Sequence, residues 1–382
     1  MVRPFFSLSG GIKYQYFFLF LLCALAILQA GTIDLHTDKT IAADQQYYRA
    51  IADAAPDINK TVLTPFGYRL LGPYLAGVLP LDQHTAFFLL NSAALFLLTV
   101  LLFRFIKSIT HHDGVSFIMT AGFLFNRYFF QFLAFNPYQI NDTISLALML
   151  VSLEAVQRKR FLQLSLLLAL TSLSREIWVL IFPFSLALAL KERSSTREWV
   201  GMLGAFVPAF LIFLFLRWYF AVDWAGQYQE QFGSGIERFF SLEGFIKRFY
   251  MAFIPAVFLP VLFWKRTLQF FRRYPEWGVF LLFAVLSGFF GNDHERLMLP
   301  VAPLFFAVCA YGILPLLAGQ SLRVNIVFGV IFYLGSFHHI WGILRLPSRE
   351  VTLGISLLLS FLTVLAGYFI KKEAARLGQP LE

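Results

Sequence analysis

A small set of carboxylates and arginines stands at polar breaks in an otherwise apolar chain, and their types suit hydroxyl activation beside a phosphate. Asp44 lies in Ala43-Asp44-Gln45-Gln46-Tyr47-Tyr48, where helical spacing puts Asp44 and Tyr48 on one face. Ala43, Tyr47, Ile51 and Ala54 make the neighbouring apolar face, which predicts a helix resting on a membrane. A carboxylate held at that helix start can take a proton from a hydroxyl as a general base; it can equally N-cap the helix. Arg69 follows the turn Pro65-Phe66-Gly67-Tyr68 and heads an apolar stretch. Its planar fork suits a phosphate, and a snorkelling interfacial arginine has the same position. Asn141 and Asp142 follow the Pro137-Tyr138 turn, where Asp142 either caps the next helix or meets a substrate. Arg175-Glu176 interrupts an apolar run, as an internal ion pair or as part of a site. Asp293 and Arg296 sit in Asn292-Asp293-His294-Glu295-Arg296, an ordinary loop or a further piece of the same site, with apolar sequence resuming at Leu297.

The elements that must position these groups are membrane spans. The 382 residues are 58% hydrophobic and 14% charged, with mean hydropathy +0.69. That excludes an ordinary soluble domain and predicts an all-α membrane protein, one transmembrane domain over 1–382. The apolar runs predict a polytopic bundle of about 11–12 helices. Between them, two kinds of polar punctuation alternate. Basic turns such as Arg158-Lys159-Arg160, Lys191/Arg193/Arg197 and Lys371-Lys372 read as cytoplasmic. The acid-containing turns listed above then gather on the outer face. The net charge of +9 is therefore topological, and no nucleic-acid partner is expected.

The run at about 14–30 resembles a signal peptide but is expected to remain as the first span, with its N-terminus inside. A first outer loop, 31–84, with interfacial helices leads to spans at about 85–106 and 115–135, and a fourth returns to Arg158. Phe161 to Leu190 has basic clusters at both ends, so one span there breaks the charge bias. Two short helices meeting at Ser174-Arg175-Glu176 keep both clusters inside. A span at about 199–221 precedes a second outer loop, 222–250, whose Phe245-Ile246-Lys247-Arg248-Phe249 reads as an amphipathic interfacial helix. Spans follow to Lys265 and at about 278–291, 297–318, 325–341 and 351–370, ending with the C-terminus inside. Cys23 and Cys309 read as small buried hydrophobes. The paired histidines lack metal-ligand spacing, so no metal residue is assigned and a divalent metal requirement is left open. No cofactor is indicated, and no Gly-rich phosphate loop is present.

The acidic first outer loop directly after helix one, with Ala43-Asp44-Gln45-Gln46-Tyr47-Tyr48, resembles the GT-C superfamily of polytopic membrane glycosyltransferases. The stretches Pro65-Phe66-Gly67-Tyr68-Arg69, Ser174-Arg175-Glu176 and Asp293-x-x-Arg296 are similar to uncharacterised bacterial members. Many relatives carry Asp-Glu where this chain has Asp44-Gln45, so a role needing two adjacent carboxylates is not carried over. The resemblance implies inverting transfer from a polyprenyl-phosphate sugar to a glycan, lipid or protein acceptor, on the periplasmic face of a bacterial inner membrane. It implies Asp44 as the general base, and Arg296, Arg175 and Arg69 as stabilisers of the departing phosphate. Tyr48, Asn141, Asp142, Glu176 and Asp293 join them as substrate-binding residues. Three rival readings remain: a secondary transporter of a polar solute, which also uses short interrupted helices, a polysaccharide polymerase or ligase of another membrane fold, and a non-catalytic membrane assembly factor.

Overall fold

A computed structural model describes residues 13–33, 44–220, 233, 235–237, 240–254, 256–290, 296–317 and 327–330, with isolated positions from 354 onward. Asp293 and most of the last two expected spans lie outside the described residues. Every regular element among the described residues is helical. Three helical stretches are long and apolar enough to cross a membrane: Gln83–Thr110, Pro137–Gln157 and Thr196–Tyr219. Shorter apolar helices stand with them, at Tyr14–Ala30, Asp113–Leu124, Phe161–Ser174, Pro275–Phe289 and Ala302–Leu317.

In chain order, α1 (Lys13–Ala30) is followed by two short helices, α2 (Gln45–Ala54) and α3 (Leu71–Gly77). The long α4 (Gln83–Thr110) starts where the Asp82 carboxylate accepts from Thr85 N–H at 3.0 Å. It ends at His111, whose φ of 53° closes the helix in a left-handed cap. Next come α5 (Asp113–Leu124), the one-turn α6 (Phe132–Phe135) and α7 (Ile140–Gln157). A hairpin of α8 (Phe161–Ser174) and α9 (Ile181–Lys191) precedes α10 (Thr196–Tyr219). A reciprocal capping box between Ser195 and Glu198 starts α10.

Ion pairs fix which ends share a side. Lys159, just before α8, contacts Glu192 after α9 at 3.2 Å and Glu198 in the first turn of α10 at 2.8 Å. The chain therefore leaves and returns at one end of the bundle, and the break at Arg175 lies at the other. Lys107 meets Asp113 at 2.5 Å, and Lys191 meets the buried Glu276 at 2.8 Å. Val200, Val207, Phe210, Leu211 and Phe215 leave a long exposed apolar face on α10, which suits a hydrocarbon surround.

The core divides into two. A large cluster rich in Phe, including Phe105, Phe123, Phe129, Phe184 and Phe280, fills the bundle. A smaller one joins Tyr48, Ile51, Tyr68 and Leu70 to Phe87, Tyr138, Ile140 and Leu216. That second cluster docks α2 and α3 onto the ends of α4, α7 and α10. Within it α2 buries Tyr48, Ile51 and Ala52 against protein, while Tyr47 and Ala54 of the expected membrane-facing side stay part-exposed. Contact is close enough that a Cβ at Gly77 would strike the Ala52 carbonyl.

Two expected spans are not continuous. At 115–135 the helix breaks after Leu124, where the buried Asn126 side chain accepts from Tyr128 and Phe129 N–H and donates to Ala252 O at 2.8 Å. A side chain that bonds its own following backbone competes with the helix, and a π-helical turn, Arg127–Gln131, follows. The span expected before Lys265 is bent by 99° between Leu242–Phe253 and Ala256–Leu262. Within the second outer loop Arg248 is fully buried, so that stretch does not present its cation to an interface; residues 221–232 lie outside the described residues.

Both cysteines are buried, so introduced ones can be read against a low background. In sealed vesicles, Asp57→Cys and Arg197→Cys are expected to react with a membrane-impermeant maleimide from opposite sides. Labelling of both from the same side contradicts the two-ended bundle.

Candidate functional site

Several elements converge where α1 and α10 end and α4 and α7 begin, and the polar side chains there form two neighbouring contact groups. Local geometry delivers each. Asp44 takes the N-cap position of α2, yet its side chain makes no capping bond. It instead accepts from Gln139 Nε2 at 3.2 Å and lies 3.7 Å from Arg296 Nη1. Arg296 opens a 3₁₀ turn, Arg296–Met298, and its Nε also lies 3.9 Å from Asp142 Oδ2. Asp142 sits in the first turn of α7, 2% exposed, and its other oxygen accepts from Arg175 Nη1. Arg175 ends α8 in an extended conformation, φ −158° and ψ 161°, which throws its side chain off the helix.

Glu176 follows at once. It contacts Arg69 Nη2 at 3.4 Å and Arg217 Nη2 at 3.2 Å, one carboxylate oxygen to each. Arg69 stands between the 3₁₀ turn Phe66–Tyr68 and α3, held from behind by Asn141. The Asn141 amide donates to Arg69 O at 2.8 Å, and its oxygen accepts from Gly72 N–H at 2.9 Å. Tyr48, 1% exposed, hydrogen-bonds with Arg69. Burial pushes the Tyr48 phenol above its ordinary pKa, although the Arg69 charge pulls the other way, so it stays a neutral hydroxyl. Burial is the largest single influence on Arg69 and opposes its charge, but Glu176, Tyr48, Tyr68 and Asp142 together hold the guanidinium above its usual pKa.

Of the residues singled out by sequence, Asp44, Arg296, Asp142 and Arg175 are linked by direct contacts, as are Tyr48, Arg69, Asn141 and Glu176, and the two groups adjoin in the chain at Asn141-Asp142 and Arg175-Glu176. Tyr48 and Asn141 are enclosed behind Arg69, so they position it and do not face open solvent. Asp44 and Glu176 are the open carboxylates, 27% and 26% exposed, whereas Asp142 is sequestered. Asp293 lies outside the described residues.

Two members were not read from the sequence. Arg217 is buried in the last turns of α10, its guanidinium carbon 3.3 Å from the centre of the Phe213 ring and 4.4 Å from that of Tyr68. The signal was a lone arginine inside an apolar run, costly enough to need a partner. Gln139 carried no comparable signal. Among the described residues, the guanidiniums of Arg69, Arg175, Arg217 and Arg296 contact the carboxylates of Asp44, Asp142 and Glu176. Such an array can bind an anion and hold a carboxylate ready beside it. Among the described residues, no group of three or more His, Cys, Asp or Glu side chains is placed to hold a metal ion. Compared with known families and with curated proteins, the chain matches no family model and no curated relative.

The Asn141 bonds support the turn that carries Arg69. Asn141→Ala leaves a buried N–H and a carbonyl without partners, so it is expected to lower stability by about 1–3 kcal/mol. Thermal unfolding of the purified protein checks this, and an unchanged midpoint contradicts the assigned support.

Proposed function

We propose that this chain is an inverting glycosyltransferase of GT-C type, moving a sugar from a polyprenyl-phosphate donor to a hydroxyl acceptor. The acceptor is a glycan, a lipid or a protein, and the reaction face is the periplasmic side of a bacterial inner membrane. In this reading the bundle continues to about 11–12 spans with both termini cytoplasmic. The observation that carries it is the contact of the open Asp44 carboxylate with Arg296, which also lies against Asp142.

The chemistry divides between those two groups. Both contacts to Asp44 fall on Oδ2, so Oδ1 accepts the acceptor hydroxyl proton. The acceptor oxygen then forms its bond to the anomeric carbon from the face opposite the phosphate. The bond from that carbon to the phosphate oxygen breaks, and its electron pair leaves with polyprenyl phosphate. A phosphate departs without protonation, so no second carboxylic acid is needed, unlike glycoside hydrolysis. In this reading Arg296, beside Asp44 and Asp142, meets the leaving oxygens, with Arg175 behind it. Charge stabilisation of this kind acts where charge develops.

Transport is the second reading, favoured by one feature: Arg175 and Glu176 interrupt two short apolar helices, α8 and α9. Purified protein given a polyprenyl-phosphate sugar and an acceptor is expected to release polyprenyl phosphate. Asp44→Asn is expected to slow that release by about 10²–10⁴-fold while the protein stays folded by gel filtration. Full turnover by Asp44→Asn removes the base. Uptake of a labelled solute into proteoliposomes without lipid-linked sugar replaces transfer by transport.

A further inference from the structure

A second pair of guanidiniums stands beside the one that touches Asp44, and it is prepared for an oxyanion. Arg217 is 4% exposed, and the Phe213 and Tyr68 rings set the plane of its fork. Arg69 is fixed through the Asn141 bonds to its turn, and its buried Nε has no hydrogen-bond partner among the described residues. Both arginines therefore keep their geometry whatever lies between them. What lies there is the Glu176 carboxylate, giving a single oxygen to each at 3.4 and 3.2 Å.

Glu176 is the most solvent-accessible member of the three. Its side chain is more exposed, at 26%, than Arg69 at 14% or Arg217 at 4%. It also follows the extended Arg175, at the break where α8 ends. Two forks facing one another suit a tetrahedral oxyanion better than a carboxylate with one oxygen to each.

We propose that Arg69 and Arg217 form a second oxyanion subsite, filled by Glu176 in the resting protein and by a phosphate group of the acceptor during transfer. The subsite stands on the contacts above; that its ligand is carried by an acceptor rests on the glycosyl-transfer reading. The consequence is specificity. A phosphorylated acceptor displaces Glu176 and is thereby registered against Asp44, and a neutral acceptor leaves Glu176 in place.

Inorganic phosphate is the probe, titrated by calorimetry into the full-length protein in detergent, without donor or acceptor. Glu176→Gln removes the competing charge and is expected to tighten phosphate binding by about tenfold or more. Arg217→Lys keeps the charge but loses the fork, and is expected to weaken it by about tenfold. Arg296→Gln leaves the Glu176-sensitive affinity unchanged. An affinity that ignores both Glu176→Gln and Arg217→Lys overturns the subsite, as does one lost only in Arg296→Gln, which assigns the anion to the donor position. If Glu176→Gln does not fold, the comparison of Arg217→Lys with Arg296→Gln decides alone. Phosphate held through Arg217 by a protein that transfers no sugar leaves the subsite standing and removes the transferase. Transfer with phosphate affinity indifferent to Arg217→Lys does the reverse.

Discussion

Arginine keeps its proton at any pH a protein meets, so each guanidinium drawn among apolar helices brings a charge that must be matched close by. Among the described residues, Arg69, Arg175, Arg217 and Arg296 are matched by carboxylates at one end of the bundle, and the positions of those counter-charges decide how the elements there sit. Glu176 ties the α8–α9 break to α10 through Arg217 and to the segment before α3 through Arg69. Asp142 ties the same break to the start of α7 through Arg175, and to the 3₁₀ turn at Arg296. Asp44 joins α2 to that turn. Apolar packing alone cannot choose among rotations of α2 and α3 on the bundle end, since Tyr48, Ile51 and Leu70 would be covered in several. The charge pairs choose one. Both depend on the close backbone approach of α3 to α2 at Gly77 and to α7 at Gly72.

Much of this was legible because it is local. Apolar runs mark helices by composition, and the basic clusters around Phe161–Leu190 demand an even number of crossings between them. Lys159 contacting both Glu192 and Glu198 is the spatial form of that demand. What was not legible depends on partners far along the chain. Asn126 reads as one polar residue in an apolar span until Ala252 O is found beside it. The face of α2 toward protein and the face toward lipid are equally apolar in sequence, and only Phe66 stacking at 4.7 Å on Tyr47 and the burial of Tyr48 separate them. Arg217 hid within a hydropathy window that it barely lowers. Its meaning came from Glu176, 41 positions away.

Burial then distinguishes three carboxylates that look alike in sequence. Asp142 is almost wholly enclosed, and its two oxygens face Arg175 and Arg296. Protonating it would leave those cations unmatched, so it serves as a fixed charge and not as a proton acceptor. Glu176 is open but already divided between two arginines, which makes it an anion that can be exchanged for another. Asp44 alone is open, touched on one oxygen only, and held by a neutral amide and a distant guanidinium. A carboxylate so placed keeps a lone pair for an incoming hydroxyl, and the cation that steadies it lies beside the place where negative charge is released. Moving Asp44 into the role of Asp142 would trade that lone pair for a second salt bridge. The chemistry proposed for this site therefore rests as much on the contacts Asp44 does not make as on those it does.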